Sequence, residues 1–161
     1  MSDEIERRFL VREIPQNLED YVRIESRQGY LAVQDYNSSE LRIRQKKRKG
    51  ETTYLVAIKT GKGLKRGEAE IEVPFETFVE IWPHTICRRV EKTRYEIPHG
   101  SHLIELDLYH GKLDGFATVD VEFKSIEISE SFVPPPWFGR EITEDIRYNN
   151  KNLAIYGVPP D

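Results

Sequence analysis

Cysteine is nearly missing from this chain. Cys87 is the one thiol among 161 residues, so no internal disulfide framework can form. No run of about 18 apolar residues occurs, which excludes a membrane-spanning helix. Positive charge is not in excess: 24 Lys and Arg stand against 28 Asp and Glu, a net charge of −4 with a pI near 5.7. A protein that binds nucleic acid through global charge is thereby excluded. The opening MSDEIERRFL is acidic and lacks the apolar core of a secretion signal. Internal repeats and low-complexity linkers are also missing, so residues 1–161 read as one domain. These absences make a soluble protein in a reducing, cytoplasmic setting the expectation. What is present argues for a packed fold, because 38% of residues are hydrophobic and 11% aromatic.

Most of the chain alternates with period two, the pattern of strands whose two faces differ. Strands are predicted over 3–11, 23–33, 40–48, 52–60, 68–73, 86–97, 103–110 and 117–124. Short helices are expected over 75–82 and 126–132. Pro74 opens the first, and Phe75, Phe78, Val79 and Trp82 recur at spacing three to four. A turn is expected near 17–21. PPPWFG (134–139) cannot be regular, because proline removes backbone donors. A last helix is predicted from Thr143 as N-cap to Gly157.

One face of nearly every strand is charged. It runs Glu4, Glu6, Arg8; Glu40, Arg42, Arg44, Lys46; Lys59; Glu68, Glu70, Glu72; Arg88, Lys92, Arg94; Glu105, Asp107; and Asp120, Glu122, Lys124. The opposite faces hold Ile5, Phe9, Leu41, Ile43, Val56, Ile71, Ile104, Leu106, Val119 and Val121, among others. Alternation alone leaves two readings. One is an open sheet with helices on its apolar face and a solvated charged face. The other is a closed barrel turned inside out, with aliphatic residues outside and both signs of charge lining a tunnel. Unpaired buried charge is costly, so such a tunnel needs a highly charged ligand. Bases suit a polyanion, and acids suit divalent cations carried with it.

EIERRFLV (4–11) sharpens the choice. Glu4 and Glu6 sit two residues apart on one strand face, about 7 Å along the chain. Hard oxygen ligands of that kind suit Mg²⁺ or Mn²⁺. The run resembles the ExExK signature of the CYTH superfamily, the triphosphate tunnel metalloenzymes. LRIR (41–44), AIKT (57–60), RRVEKTRY (88–95), IELDLY (104–109), VDVEF (119–123) and PPPWFGREITEDIRYNNKNLA (134–154) follow in the order of that family's landmarks.

The resemblance implies an α+β, mostly β fold: an eight-stranded antiparallel closed β-barrel with a few flanking helices. It implies metal-dependent hydrolysis of inorganic triphosphate to pyrophosphate and phosphate. Glu4, Glu6, Asp120 and Glu122 would hold Mg²⁺ or Mn²⁺. Arg42, Arg44, Lys59, Arg88 or Arg89, Lys92 and Arg94 would bind triphosphate, and Lys151 would close one end. Glu105 and Asp107 would orient water or a base, and Tyr30 is a candidate gate. Two positions depart from the family pattern. Arg8 stands where Lys is usual, and arginine cannot give up its proton. Asp120 stands where Glu is usual and is one methylene shorter.

Alternatives are an adenylyl cyclase of the class IV type, a thiamine triphosphatase, or a polyphosphate-binding module without turnover. Inorganic or organic triphosphate is the expected partner, with no nucleic acid and no membrane. A homodimer through exposed apolar patches is a further expectation. GKGLKRG (61–67) is not a phosphate-binding P-loop, since a strand rather than a helix follows. It reads as a hairpin loop, with a phosphate-contacting lid as the sharper reading. The four histidines show no zinc-like spacing, and Cys87 has no evident base beside it.

Overall fold

A computed structural model describes residues 1–34 and 36–161. Its core is a closed antiparallel barrel. The strands are β1 (Ser2–Val11), β2 (Val22–Leu31), β3 (Glu40–Arg48), β4 (Glu51–Thr60), β5 (Lys65–Val73), β6 (Arg89–His99), β7 (His102–His110) and β8 (Ala117–Phe123), with a short β9 (Phe138–Glu141). Pairing runs β5-β4-β3-β2-β6-β7-β8-β1, and β1 returns to β5 to close the ring. One strand performs that closure with its two halves. Residues Ser2–Ile5 of β1 pair with β5, and Ile5–Leu10 pair with β8. β9 then adds to the far end of β1. Closure leaves no long unpaired edge in the ring.

The registers put the charged face inside. Arg42 lies opposite Ala57, which lies opposite Glu70; Arg94 lies opposite Asp107; Glu105 lies opposite Asp120, which lies opposite Arg8. The tunnel reading is therefore the one realised, and the open sheet is set aside.

Two apolar cores follow from this inversion. One is outside the barrel: Phe9, Leu106, Val119, Val121 and Phe123 on β1, β7 and β8 meet Phe132 and Phe138. Phe132 closes α2 (Ile126–Ser131), whose N-cap Ser125 accepts from the amide of Ile128. The other core sits in one end of the barrel. There α3 (Asn150–Tyr156) brings Leu153 and Ala154 against Tyr30, Val90 and Tyr109. α1 (Phe75–Ile81) lies on the outer face, with Phe78 buried beside Tyr54 and Trp82. The turn that follows it crosses β2 at Gly29, where any Cβ would stand 2.5 Å from Thr85.

Four expectations need correction. PPPWFG is not irregular throughout: past its prolines, Phe138 and Gly139 begin β9. The last helix does not start at Thr143. A 3-10 turn over Ile146–Tyr148 is capped by Asp145, and α3 by Asn149. Each cap side chain accepts an amide at its own turn, whereas the Thr143 hydroxyl receives the amide of Arg8 instead. β5 begins at Lys65 rather than at residue 68, so half of the glycine-rich loop is strand. β6 begins at Arg89 rather than at residue 86, because Cys87 turns the chain with φ 67°. Among the described residues no helix is long and apolar enough to cross a membrane.

Candidate active site

Inside the barrel the charges divide into two walls. The wall of β6, β7, β8 and β1 is closed by short ion pairs. Asp107 accepts from Lys92 at 2.8 Å and from Arg94 Nε at 2.7 Å. Arg94 also reaches Glu105 at 2.7 Å and Asp120 at 3.3 Å. Arg8 holds Asp120 through Nε at 2.7 Å and donates from Nη1 to the Tyr148 carbonyl at 2.8 Å. Asp107 and Asp120 are almost fully buried. Such charges persist in a low-dielectric wall only when paired and hydrogen-bonded.

The wall of β3, β4 and β5 is loose by comparison. Arg42 Nη2 stands 3.5 Å from Glu68 and 3.3 Å from Glu70. It reaches Glu70 over Ala57, whose small side chain leaves the space open. Arg44 Nη2 meets the same Glu70 oxygen at 2.8 Å, so one carboxylate serves two guanidinium groups. The Nε atoms of Arg42 and Arg44 are buried without any acceptor among the described residues. Lys59 bonds Glu4 at 2.8 Å and stands 3.7 Å from Glu68. Buried donors without acceptors are rare, and here they face a tunnel that can supply one.

The acid–base balance of the interior shows the same strain. Burial pushes the Glu6 carboxyl up to about 8, helped by Asp120 and Glu4 and opposed by Lys59 and Arg8. Burial also raises Glu122, with Glu4 and Glu105 adding to it. Burial lowers Lys92 to about 7 despite Asp107, with Arg94 adding to the fall. Arg44 falls to about 10 through burial and the neighbouring Arg42. For Asp107 burial acts upward, but Arg94 and Lys92 outweigh it and hold the carboxyl well below its usual range.

A cavity of about 380 Å³ opens from this interior. Glu6, Arg8, Tyr30, Arg42 and Lys59 line it from the barrel strands, together with Lys62 and Arg66 at the β4–β5 connection and Asn150 and Lys151 of α3. Burial and Glu40 push the Tyr30 hydroxyl up to about 12. That oxygen accepts from Gln28 Nε2 at 2.8 Å, which leaves its own proton to donate.

A family model for the CYTH domain matches residues 2–154. The chain belongs to the CYTH domain family. A curated inorganic triphosphatase of Nitrosomonas europaea is 46% identical over 154 residues, covering 94% of this chain and 97% of that protein. An inorganic triphosphatase of Acetivibrio thermocellus is 33% identical over 157 residues, covering 96% and 94%. A crystal structure of an inorganic triphosphatase superposes with a TM-score of 0.71 at 41% identity, covering 99% of each chain. A Pyrococcus horikoshii protein with a TM-score of 0.58 at 20% identity, covering 80% of this chain and 83% of that one, shares the fold.

Most of the residues expected from the CYTH signature meet in this tunnel, in unequal roles. Glu4, Glu6, Arg8, Arg42, Arg44, Lys59, Lys92, Arg94, Glu105, Asp107, Asp120 and Glu122 all come from its strands. Arg88 and Arg89 stand apart from it. Arg88 donates to the carbonyls of Tyr30 and His84, and Arg89 lies 4.3 Å over the Trp82 ring with Nη2 on the Trp82 carbonyl. Val90 takes the inward place expected of them. Arg66 belongs to GKGLKRG, for which the sequence suggests a hairpin loop or a phosphate-contacting lid and no strand; it lies on β5. It lines the cavity, donates to the Gly61 carbonyl and pairs with Glu40 at 3.4 Å. Gln28, fully buried behind Tyr30, had no sequence signal beyond its place on an inward face.

The acids fit a hard divalent cation in one particular way. Among the described residues no three acids or histidines stand together as a cage. Asp120 is taken by two arginines and Glu4 by Lys59. Glu6 and Glu122 face each other across β1 and β8, outside every ion pair among the described residues, and both carboxyls are raised. Two carboxylates completed by water and substrate phosphates are the usual surroundings of Mg²⁺.

Proposed function

We propose that this chain hydrolyses inorganic triphosphate to pyrophosphate and phosphate in the tunnel, with Mg²⁺ or Mn²⁺ held between Glu6 and Glu122. The observation that carries this reading is the loose wall. Buried arginine donors lacking acceptors, beside stretched ion pairs, are what a polyanion would complete. The two triphosphatase relatives support the choice of substrate.

Each residue then has a bounded task. Arg42 and Arg44 offer forked donors to phosphate oxygens, and Lys59 offers a point charge. Arg66 and Lys151 meet the end of the chain of phosphates. Tyr30 donates its proton to an oxygen of the bound anion and is held for that by Gln28. Arg8 pairs with Asp120 and, through the Tyr148 carbonyl, ties the segment before α3 to β1. Asp107 is enclosed by Lys92 and Arg94 and serves the wall, so water falls to the acids that remain open. When bound, the cation offsets phosphate charge and acidifies a coordinated water. Phosphoryl transfer of this kind relies mostly on positioning and charge stabilisation.

The test is phosphate release from inorganic triphosphate with Mg²⁺ or Mn²⁺, beside ATP and thiamine triphosphate. Release that needs metal and is lost in Glu6→Gln and Glu4→Ala is the expected result. Thermal stabilisation by triphosphate without release would identify a binding tunnel. Cyclic nucleotide from ATP would identify a cyclase.

A further inference from the structure

The loop between β4 and β5 is built as a fixed edge of the cavity, and one distant side chain holds it. Gly61 and Gly63 adopt φ of 80° and 79°, and Lys62 between them lines the cavity with Arg66. Two glycines in so short a loop leave it free to move unless hydrogen bonds restrain it. Three of its restraints come from the turn before β3, from β5 and from β1. The Gly61 amide donates to the Asn37 carbonyl at 2.8 Å, Arg66 Nε donates to the Gly61 carbonyl at 3.0 Å, and the Glu6 amide donates to the Leu64 carbonyl at 3.0 Å. The fourth comes from the chain's last quarter: the Leu64 amide donates to Glu144 Oε1 at 3.1 Å.

Glu144 does more than accept one bond. A Cβ at Gly63 would stand 2.3 Å from Glu144 Oε2, so the carboxylate is seated directly against the loop backbone. The loop is thus held between the backbone of β1 at Glu6 and the segment leading to α3. Glu144 does not line the cavity itself; it is exposed in the adjoining groove with Arg7, Leu64 and Thr143 and forms no ion pair among the described residues, so stability does not require an acid there. Its position is explained if its work is to hold the loop that carries Lys62 and Arg66.

We infer that Glu144 is a positioning residue: through Leu64 it fixes the 61–67 loop, so that Lys62 and Arg66 meet the outer phosphates of a triphosphate and Glu6 keeps its place on β1. The inference rests on the function proposed above. It requires an acceptor at residue 144, and a negative charge there is dispensable.

The experiment compares the wild type, Glu144→Ala and Glu144→Gln. It measures hydrogen exchange of the Leu64 amide and steady-state hydrolysis of inorganic triphosphate. In Glu144→Ala, Leu64 exchange should speed up by about five-fold or more, as expected for one lost hydrogen bond. KM should rise by a similar factor while kcat changes less than about two-fold. Glu144→Gln keeps an acceptor, so it should restore both protection and KM, with KM at or below that of the wild type. Wild-type exchange and KM in Glu144→Ala would overturn the inference. So would a glutamine variant as impaired as the alanine variant. Gly63→Ala, which presses a methyl group into the same carboxylate, should reproduce the raised KM with Glu144 intact. If the wild type releases no phosphate, the proposed function fails. Exchange at Leu64 and calorimetric binding of inorganic triphosphate to the three proteins then decide the role of Glu144 separately.

Discussion

The two walls of the tunnel use the same residue types to opposite ends. On β6, β7 and β8, Asp107 sits within 2.8 Å of two cations and is fully buried. On β3, β4 and β5, Arg42 stretches to 3.3 and 3.5 Å and keeps an orphaned Nε. The first wall pairs Arg8, Lys92 and Arg94 with its own acids and therefore has nothing left for an anion; Glu6 and Glu122 stay outside every ion pair among the described residues. The second is incomplete and therefore receptive. A row of alternating charges is thus not one site: one half is paired with itself, and the other keeps buried donors without acceptors among the described residues.

The most disruptive way to break this comparison is Asp107→Ala. It leaves Lys92 and Arg94 buried without their shared counter-charge, and loss of about 3–5 kcal/mol is expected in urea unfolding. Arg42→Met attacks the open wall. Triphosphate hydrolysis should fall by about 100-fold or more, as for the loss of a positioned charge donor. Unfolding free energy should change by less than about 1.5 kcal/mol, because only stretched pairs are lost.

The third prediction uses pH. Lys92 has its proton affinity lowered from 10.5 to about 7 in the folded chain. The unfolded chain therefore binds more protons between those values, so this residue makes stability rise as pH goes from about 7 towards 10.5. The wild type should gain at least about 1 kcal/mol relative to Lys92→Met between pH 7 and pH 9.5, since one pKa unit corresponds to ~1.4 kcal/mol. Denaturant unfolding of both proteins at the two pH values checks this, and an equal response in both would remove Lys92 from the account. The smallest effect belongs outside the barrel. Arg23 and Glu25 pair on the exposed surface, and Arg23→Ala should cost no more than about 0.5 kcal/mol by thermal unfolding.

The reading of Glu4, Glu6 and Arg8 as one row on one strand face needed only alternation, and so did Arg42 with Arg44 and Glu105 with Asp107. Pleat geometry is local, so neighbours two apart share a face whatever the rest of the fold does. Arg66 and Arg88 show where that reasoning fails. A face can be assigned only once a strand's start is known. Gly67 hid the start of β5, and the positive φ of Cys87 shifted that of β6. The helix start at Thr143 failed for a related reason. Asn149, Asp145 and Thr143 all suit a cap, and which of them caps depends on what each meets in space.

Composition and period together determined that this chain makes strands with one charged face, and the order of its motifs pointed to the CYTH barrel. Only the tertiary structure decided that β1 would close the ring against β5, that Asp120 would be claimed by two arginines, and that Glu6 and Glu122 would stay outside every ion pair among the described residues. The reason is range. Alternation is written within each strand, whereas pairing across a barrel joins residues more than a hundred positions apart. A charge finds its partner, or is left without one, only when those residues arrive at the same depth of the tunnel.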